Sequence, residues 1–132
     1  MSAELHRTIR TEMDASRTVL ESTLYSREAG FDETPSRMIA TAVSELVRNI
    51  LKYAGSGEIR LRRVKEPGRR GIEIEVVDQG PGIADCAAAL DDHFSSGGTL
   101  GLGLPGVKRL MDEFRLESTP GEGPRVTARK WI

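Results

Sequence analysis

The chain has one cysteine, Cys86, so no disulfide can form within it. Cys86 precedes three alanines and reads as a small packing residue, not a nucleophile. The only histidines, His6 and His93, are widely separated and cannot build a zinc cluster with one cysteine. Neither sign of charge dominates. The 19 Lys and Arg are interleaved with 20 Asp and Glu along most of the chain, for a formal charge of -1. No nucleic-acid partner is expected. The densest basic run, Arg60 to Arg63, reads as the solvated face of a strand. No apolar run nears membrane-spanning length, and the first ten residues lack an apolar signal segment. No membrane partner is expected, and a reducing cytoplasm is the expected location. What is present is an ordinary globular mixture, 38% hydrophobic and 30% charged over 132 residues. That supports a single domain over 1–132 with one modest core.

Periodicity then divides the chain. Residues 5–13 form a weak candidate strand. A helix is expected over 14–30, capped by Asp14, ended by Gly30 and packed through Val19, Leu20 and Leu24. Thr34 and Pro35 open a second helix, expected to run to about 54. Its apolar positions from Met38 to Ala54 recur at spacings of three and four, the clearest pattern in the sequence. Strands are expected over 58–64 and 71–78, joined by a Pro-Gly hairpin turn. A short helix fits 84–92, a glycine-dense mobile loop 93–106, and a helix 104–114. "RLES" and "RVTARKWI" read as a closing hairpin.

Three pieces carry chemistry. Glu45 and Asn49 are four apart on the second helix, at the border of its apolar stripe. An amide oxygen suits Mg²⁺ and a carboxylate can accept a proton, although a polar fringe that only stabilises the helix has the same pattern. Asp78 ends an apolar strand before two glycines, where it can accept from an amino group such as adenine's or simply close an Asx turn. The glycine-dense loop before a helix can bring backbone N–H groups close to phosphate, but it has neither the P-loop pattern nor the dinucleotide fingerprint.

In chain order these pieces give Glu-x-x-x-Asn on a helix, a hairpin, Asp-x-Gly-x-Gly, then a Gly-x-Gly loop before a helix. That order resembles the GHKL family of ATP-binding domains, which includes gyrase, histidine kinases and MutL, over about residues 34–114. "SELVRNILKYAGSG", "DQGPGI" and "GLGLPGVKRLMDEF" are similar to the RsbT-type serine/threonine kinases of the anti-sigma regulatory branch, the switch kinases of the stressosome. This similarity spans nearly the whole chain, including Trp131.

The resemblance implies a two-layer α/β sandwich with a mixed, mostly antiparallel sheet and helices on one face. It implies ATP and Mg²⁺ as cofactors, with Asn49 on the metal and Glu45 as general base. Asp78 would accept from the adenine amino group, and Gly80 and Gly82 would bend the chain around the base. Gly98, Thr99, Gly101, Leu102 and Gly103 would cover the phosphates, with Lys108 or Arg109 neutralising their charge. The implied partners are STAS-domain scaffold and antagonist proteins, phosphorylated on serine or threonine, and a PP2C-type phosphatase activated by docking. A kinase that binds a sigma factor directly, or a mainly non-catalytic ATP-dependent switch, are the alternatives. A sensor histidine kinase would need a phosphoacceptor histidine on an upstream dimerisation helix, and His6 is poorly placed for that.

Overall fold

The computed structural model describes residues 4–78, 104–117 and 125–132. Strand β1 (Leu5–Ile9) buries its two ends and exposes His6 to Thr8. It stops short of residue 13 because Thr11 caps helix α1 (Glu12–Ala29). The Thr11 hydroxyl accepts from the Asp14 N–H at 3.1 Å, and the Asp14 carboxylate accepts from the Arg10 and Thr11 N–H groups at 3.0 and 3.2 Å. Asp14 is therefore the reciprocal partner in a capping box, not the cap itself. Gly30 ends α1 as expected: its φ of 111° is left-handed, and the Phe31 N–H returns to the Ser26 carbonyl at 3.1 Å.

The apolar face expected for α1 is reversed. Leu20 and Leu24 are 69% and 62% exposed, and Val19 is only half-buried. Ala15, Thr18, Ser22 and Ser26 face inward instead. Small residues allow α1 to lie close against α2. Each buried hydroxyl donates within its own helix, Thr18 to the Asp14 carbonyl at 2.8 Å, Ser22 to Val19 at 2.6 Å and Ser26 to Ser22 at 2.7 Å. Burial thus leaves none of these three hydroxyls unsatisfied.

Helix α2 (Glu33–Asn49) begins with Asp32 at the cap position, two residues before the expected Thr34. Pro35 consequently sits in the third helical position, where its missing N–H still costs no intrahelical bond. Ile39, Ala42, Val43, Leu46 and Val47 are buried as the periodicity requires. Burying each of the larger ones stabilises the fold by about 1.5–3 kcal/mol. The α-helix does not reach 54: Ile50–Ala54 is a π-helical turn, closed by the Gly55 N–H on the Ile50 carbonyl at 2.8 Å.

Strands β2 (Gly57–Glu66) and β3 (Arg69–Asp78) pair antiparallel from Gly57↔Asp78 to Glu66↔Arg69. Pro67 and Gly68 make the turn, and Gly68 has the positive φ (82°) that the second position of a type II turn demands. The next described element is helix α3 (Leu104–Leu110), followed by β4 (Glu113–Glu117) and β5 (Arg125–Trp131). The helix expected over 104–114 ends early, and Phe114 lies in β4 opposite Ala128. Strand β5 stops it. Buried Lys130 donates from Nζ to the Leu110 carbonyl at 2.8 Å, and the Asp112 N–H reaches the Arg129 carbonyl at 2.9 Å. The expected helix over 84–92 and loop over 93–103 lie outside the described residues.

The sheet order is β1-β2-β3-β5-β4, and all four described pairings are antiparallel. One face carries Ile59, Leu61, Ile72, Ile74, Val76, Val126 and Ala128, which join the residues of α2 and α3 in a single core. The helices cover that face, giving the expected two-layer sandwich. The other face is charged. Arg60 and Arg62 lie on it as the sequence suggests, while Arg63 turns to the helix side and rests over the Tyr25 ring at 5.9 Å. At its centre the Glu73 carboxylate, with its side chain 5% exposed, accepts from Arg62 at 2.8 Å and from Arg129 at 2.8 Å.

Candidate nucleotide site

Glu45 and Asn49 are both half-buried, on the border that their spacing requires. Between buried Ala42 and Leu46 on one side and exposed Arg48 on the other, they have one flank on the core and one on solvent. The Glu45 carboxylate lies 3.7 Å from Arg48 Nη1, a loose pair on a guanidinium that is 68% exposed and also donates to Ser44 at 3.3 Å. Such a pair is worth well under about 1 kcal/mol, so it orients Glu45 only weakly. Asn49 is the last α-helical residue, and the π-helical turn starts immediately after it. Turns of this type open the regular backbone ladder and recur at functional sites.

Asp78 approaches the same end of the fold by another route. It closes β3 and pairs with Gly57, the residue that starts β2 after the π-helical turn and the Gly55-Ser56 link. The fit is close: a Cβ on Gly57 would fall 2.9 Å from the Val77 carbonyl oxygen and 3.0 Å from Asp78 Cα and Cβ. Gly57 therefore sets how near Asp78 comes to the segment that follows Asn49. In the sequence, "AGSG" at 54–57 stands only where the expected second helix ends. The role of its second glycine depends on the strand register, which no local pattern displays.

Helix α3 is the third contributor. Buried Leu104 and Val107 pack it against α2, so the helix after the glycine-dense loop neighbours the helix that carries Glu45 and Asn49. Lys108 and Arg109 are on its exposed side. Gly80, Gly82, Gly98, Thr99, Gly101, Leu102 and Gly103 lie outside the described residues. The structure thus brings Glu45, Asn49 and Asp78 to one end of the α2 layer and sets α3 beside them.

The donor set can be tested against metals. Among the described residues, no three His, Cys, Asp or Glu side chains are grouped so as to hold an ion. One amide oxygen cannot cage zinc or calcium. It does fit Mg²⁺, which retains waters, accepts few protein ligands and arrives with nucleotide phosphates. The charged depression on the outer sheet face, lined by Arg62, Glu73, Glu75 and Arg129, lies across the sheet from α2 and shares none of these residues.

Comparison with known proteins gives the family. Residues 8–130 match the family described as histidine kinase-like ATPase domain. The serine/threonine-protein kinase RsbT of Bacillus subtilis is 50% identical over 81% of this chain and 80% of its own length. An anti-sigma F factor of a Thermoanaerobacter species is 36% identical over 71% of this chain and 68% of its own. The sensory histidine kinase/phosphatase NtrB of Rhodobacter capsulatus is 37% identical, but the match takes in 30% of that protein. By the family match over residues 8–130 and by this kinship, the chain belongs to the histidine kinase-like ATPase domain family.

Proposed function

We propose that this chain is an ATP-dependent serine/threonine protein kinase of a partner-switching pathway. The observation that carries the reading is the half-buried pair Glu45 and Asn49 on one border of α2, in a chain 50% identical to a named serine/threonine kinase over 81% of its length. Asp78 binds the adenine amino group as an acceptor. Asn49 would hold Mg²⁺, which would supply charge neutralisation at the phosphates. Glu45 accepts the proton of the attacking serine or threonine hydroxyl. The hydroxyl oxygen forms a bond to the γ-phosphorus, the bond between that phosphorus and the β,γ-bridging oxygen breaks, and ADP leaves with the electron pair. Positioning and electrostatics supply most of the acceleration in such transfers. The protein substrates are STAS-domain scaffold or antagonist proteins, and docking onto a PP2C-type phosphatase is the second output.

The test separates the roles within α2. Glu45→Ala is expected to reduce phosphate transfer to a purified STAS-domain protein by about 10²–10⁴-fold while leaving ATP affinity within about twofold, since it removes only the proton acceptor. Unaltered transfer removes Glu45 as the base, and joint loss of ATP binding and folding returns it to a structural fringe. The anti-sigma F relatives support a second reading, direct binding of a sigma factor. Pull-downs with a sigma factor, a STAS-domain protein and a phosphatase regulatory domain distinguish the two.

A further inference from the structure

A hydroxyl that gives its proton to Glu45 can reach it from one side of α2 only. At about 100° per residue, Asn49 lies about 40° from Glu45 toward the core, and Arg48 lies about 60° from Glu45 toward solvent. Burial follows that order: Ala42 and Leu46 are buried, Asn49 and Glu45 half-buried, Arg48 exposed. Under the kinase reading the phosphates gather at Asn49, on the inner side of Glu45. No segment of a protein substrate enters beyond it, where Ala42 and Leu46 meet the core. The substrate chain therefore approaches across Arg48.

Arg48 has donors to spare for that chain. Its Nη2 donates to the Ser44 hydroxyl at 3.3 Å, and its Nη1 stands 3.7 Å from the Glu45 carboxylate, beyond hydrogen-bond contact. The Nε and Nη1 N–H groups thus make no hydrogen bond among the described residues. A guanidinium has five N–H groups in a fixed fork, and the rest suffice for a bidentate carboxylate. Arg37, on the same side of α2, is already bound to Glu33. One turn beyond Arg48, exposed Lys52 adds positive charge to the same approach. The side from which a substrate reaches Glu45 is therefore basic, with one fork open.

We propose that Arg48 determines specificity for the protein substrate by binding a carboxylate beside the acceptor serine or threonine. The inference rests on the kinase reading and adds to it the chemical class of segment that the site accepts, an acidic one. The 3.7 Å between Arg48 and Glu45 sets the spacing. A carboxylate on the guanidinium brings a neighbouring hydroxyl to Glu45, and two fixed contacts orient it for transfer. Because Arg48 and Glu45 share no hydrogen bond, the substrate acid displaces none when it binds. A basic segment would meet like charge on the same path and be disfavoured.

Two measurements on the full chain with a purified STAS-domain protein test it. One is steady-state transfer at saturating ATP. The other is calorimetric binding of the same protein with its acceptor changed to alanine, in the presence of a non-hydrolysable ATP analogue. Arg48→Ala is expected to raise KM for the protein and weaken its binding by at least about tenfold. Its kcat and ATP affinity are expected to stay within about twofold. Arg48→Lys, a point charge without the fork, is expected to recover only part of the loss. Arg48→Glu is expected to fail on this substrate and to recover on one whose acid beside the acceptor is changed to lysine. A merely structural role for Arg48 would not be repaired in that way. Unchanged KM and binding in Arg48→Ala overturn the proposal alone, as does an acceptor that mass spectrometry places beside no acid. So does a loss of ATP affinity, because Arg48 would then serve the phosphates. A wild-type chain that binds ATP but transfers nothing to the STAS-domain protein overturns the kinase reading, and this proposal with it.

Discussion

Gly57→Ala probes how the sheet sets the candidate nucleotide site. The added methyl group would sit 2.9 Å from the Val77 carbonyl oxygen and 3.0 Å from Asp78 Cα and Cβ. All of these but the last are backbone atoms, so relief requires the ends of β2 and β3 to separate. Overpacking of this kind costs about 1–3 kcal/mol. The displacement falls on Asp78 itself. If its carboxylate makes the adenine contact, a hydrogen bond worth roughly 1.5–3 kcal/mol in full is strained. Losing about half of that raises the ATP dissociation constant by about four- to tenfold. Calorimetric titration with ATP and Mg²⁺, well below the melting temperature, measures the affinity, and urea unfolding measures the stability. A double-mutant cycle with Asp78→Ala then assigns the cause. In the Asp78→Ala background, Gly57→Ala should still destabilise the fold but change ATP affinity by less than about twofold. A loss of about four- to tenfold that persists without the Asp78 carboxylate refutes the reasoning, as does wild-type affinity in the single variant.

Asn49→Ala is expected to remove Mg²⁺-dependent strengthening of ATP binding while urea stability stays within about 0.5 kcal/mol, since the side chain is only half-buried; an unchanged Mg²⁺ titration refutes it. Glu73→Gln is expected to cost about 1.5–3 kcal/mol near neutral pH, because it removes a buried anion from two guanidinium groups. Burial alone would raise the Glu73 pKa, but hydrogen bonds from Arg129 and Arg62 and their charges outweigh it and hold the group below the ordinary value of 4.5. Its contribution is therefore fully present above that value and lost as pH falls through the lower folded-state value, so the gap between wild type and variant should close in acid; a gap that is constant with pH contradicts this assignment. Lys130→Met keeps the packing but orphans the Leu110 carbonyl at the end of α3, and should cost about 1–3 kcal/mol in urea unfolding. A loss under about 0.5 kcal/mol would show that water replaces the ammonium group.

Local chemistry alone determined a good deal of this protein. The unbroken three-and-four spacing of α2 fixed its buried stripe and put Glu45 and Asn49 at the edge, because helix geometry leaves no freedom in which residues share a face. Gly30 and Pro67-Gly68 marked their turns for the same reason, since their backbone preferences act residue by residue. The motif order carried the family. Tertiary structure decided what depends on a distant neighbour. Val19, Leu20 and Leu24 gave α1 an apparent inner face, yet close approach to α2 selected the small side chains Ala15, Thr18, Ser22 and Ser26 instead. Phe114 fits a helical period, yet pairing with β5 drew it into a strand, and Lys130 sealed the helix end from twenty residues away. Gly57 looked like punctuation until register set it against Asp78. In each case the deciding contact lies on another element, and a sequence window holds only one side of it.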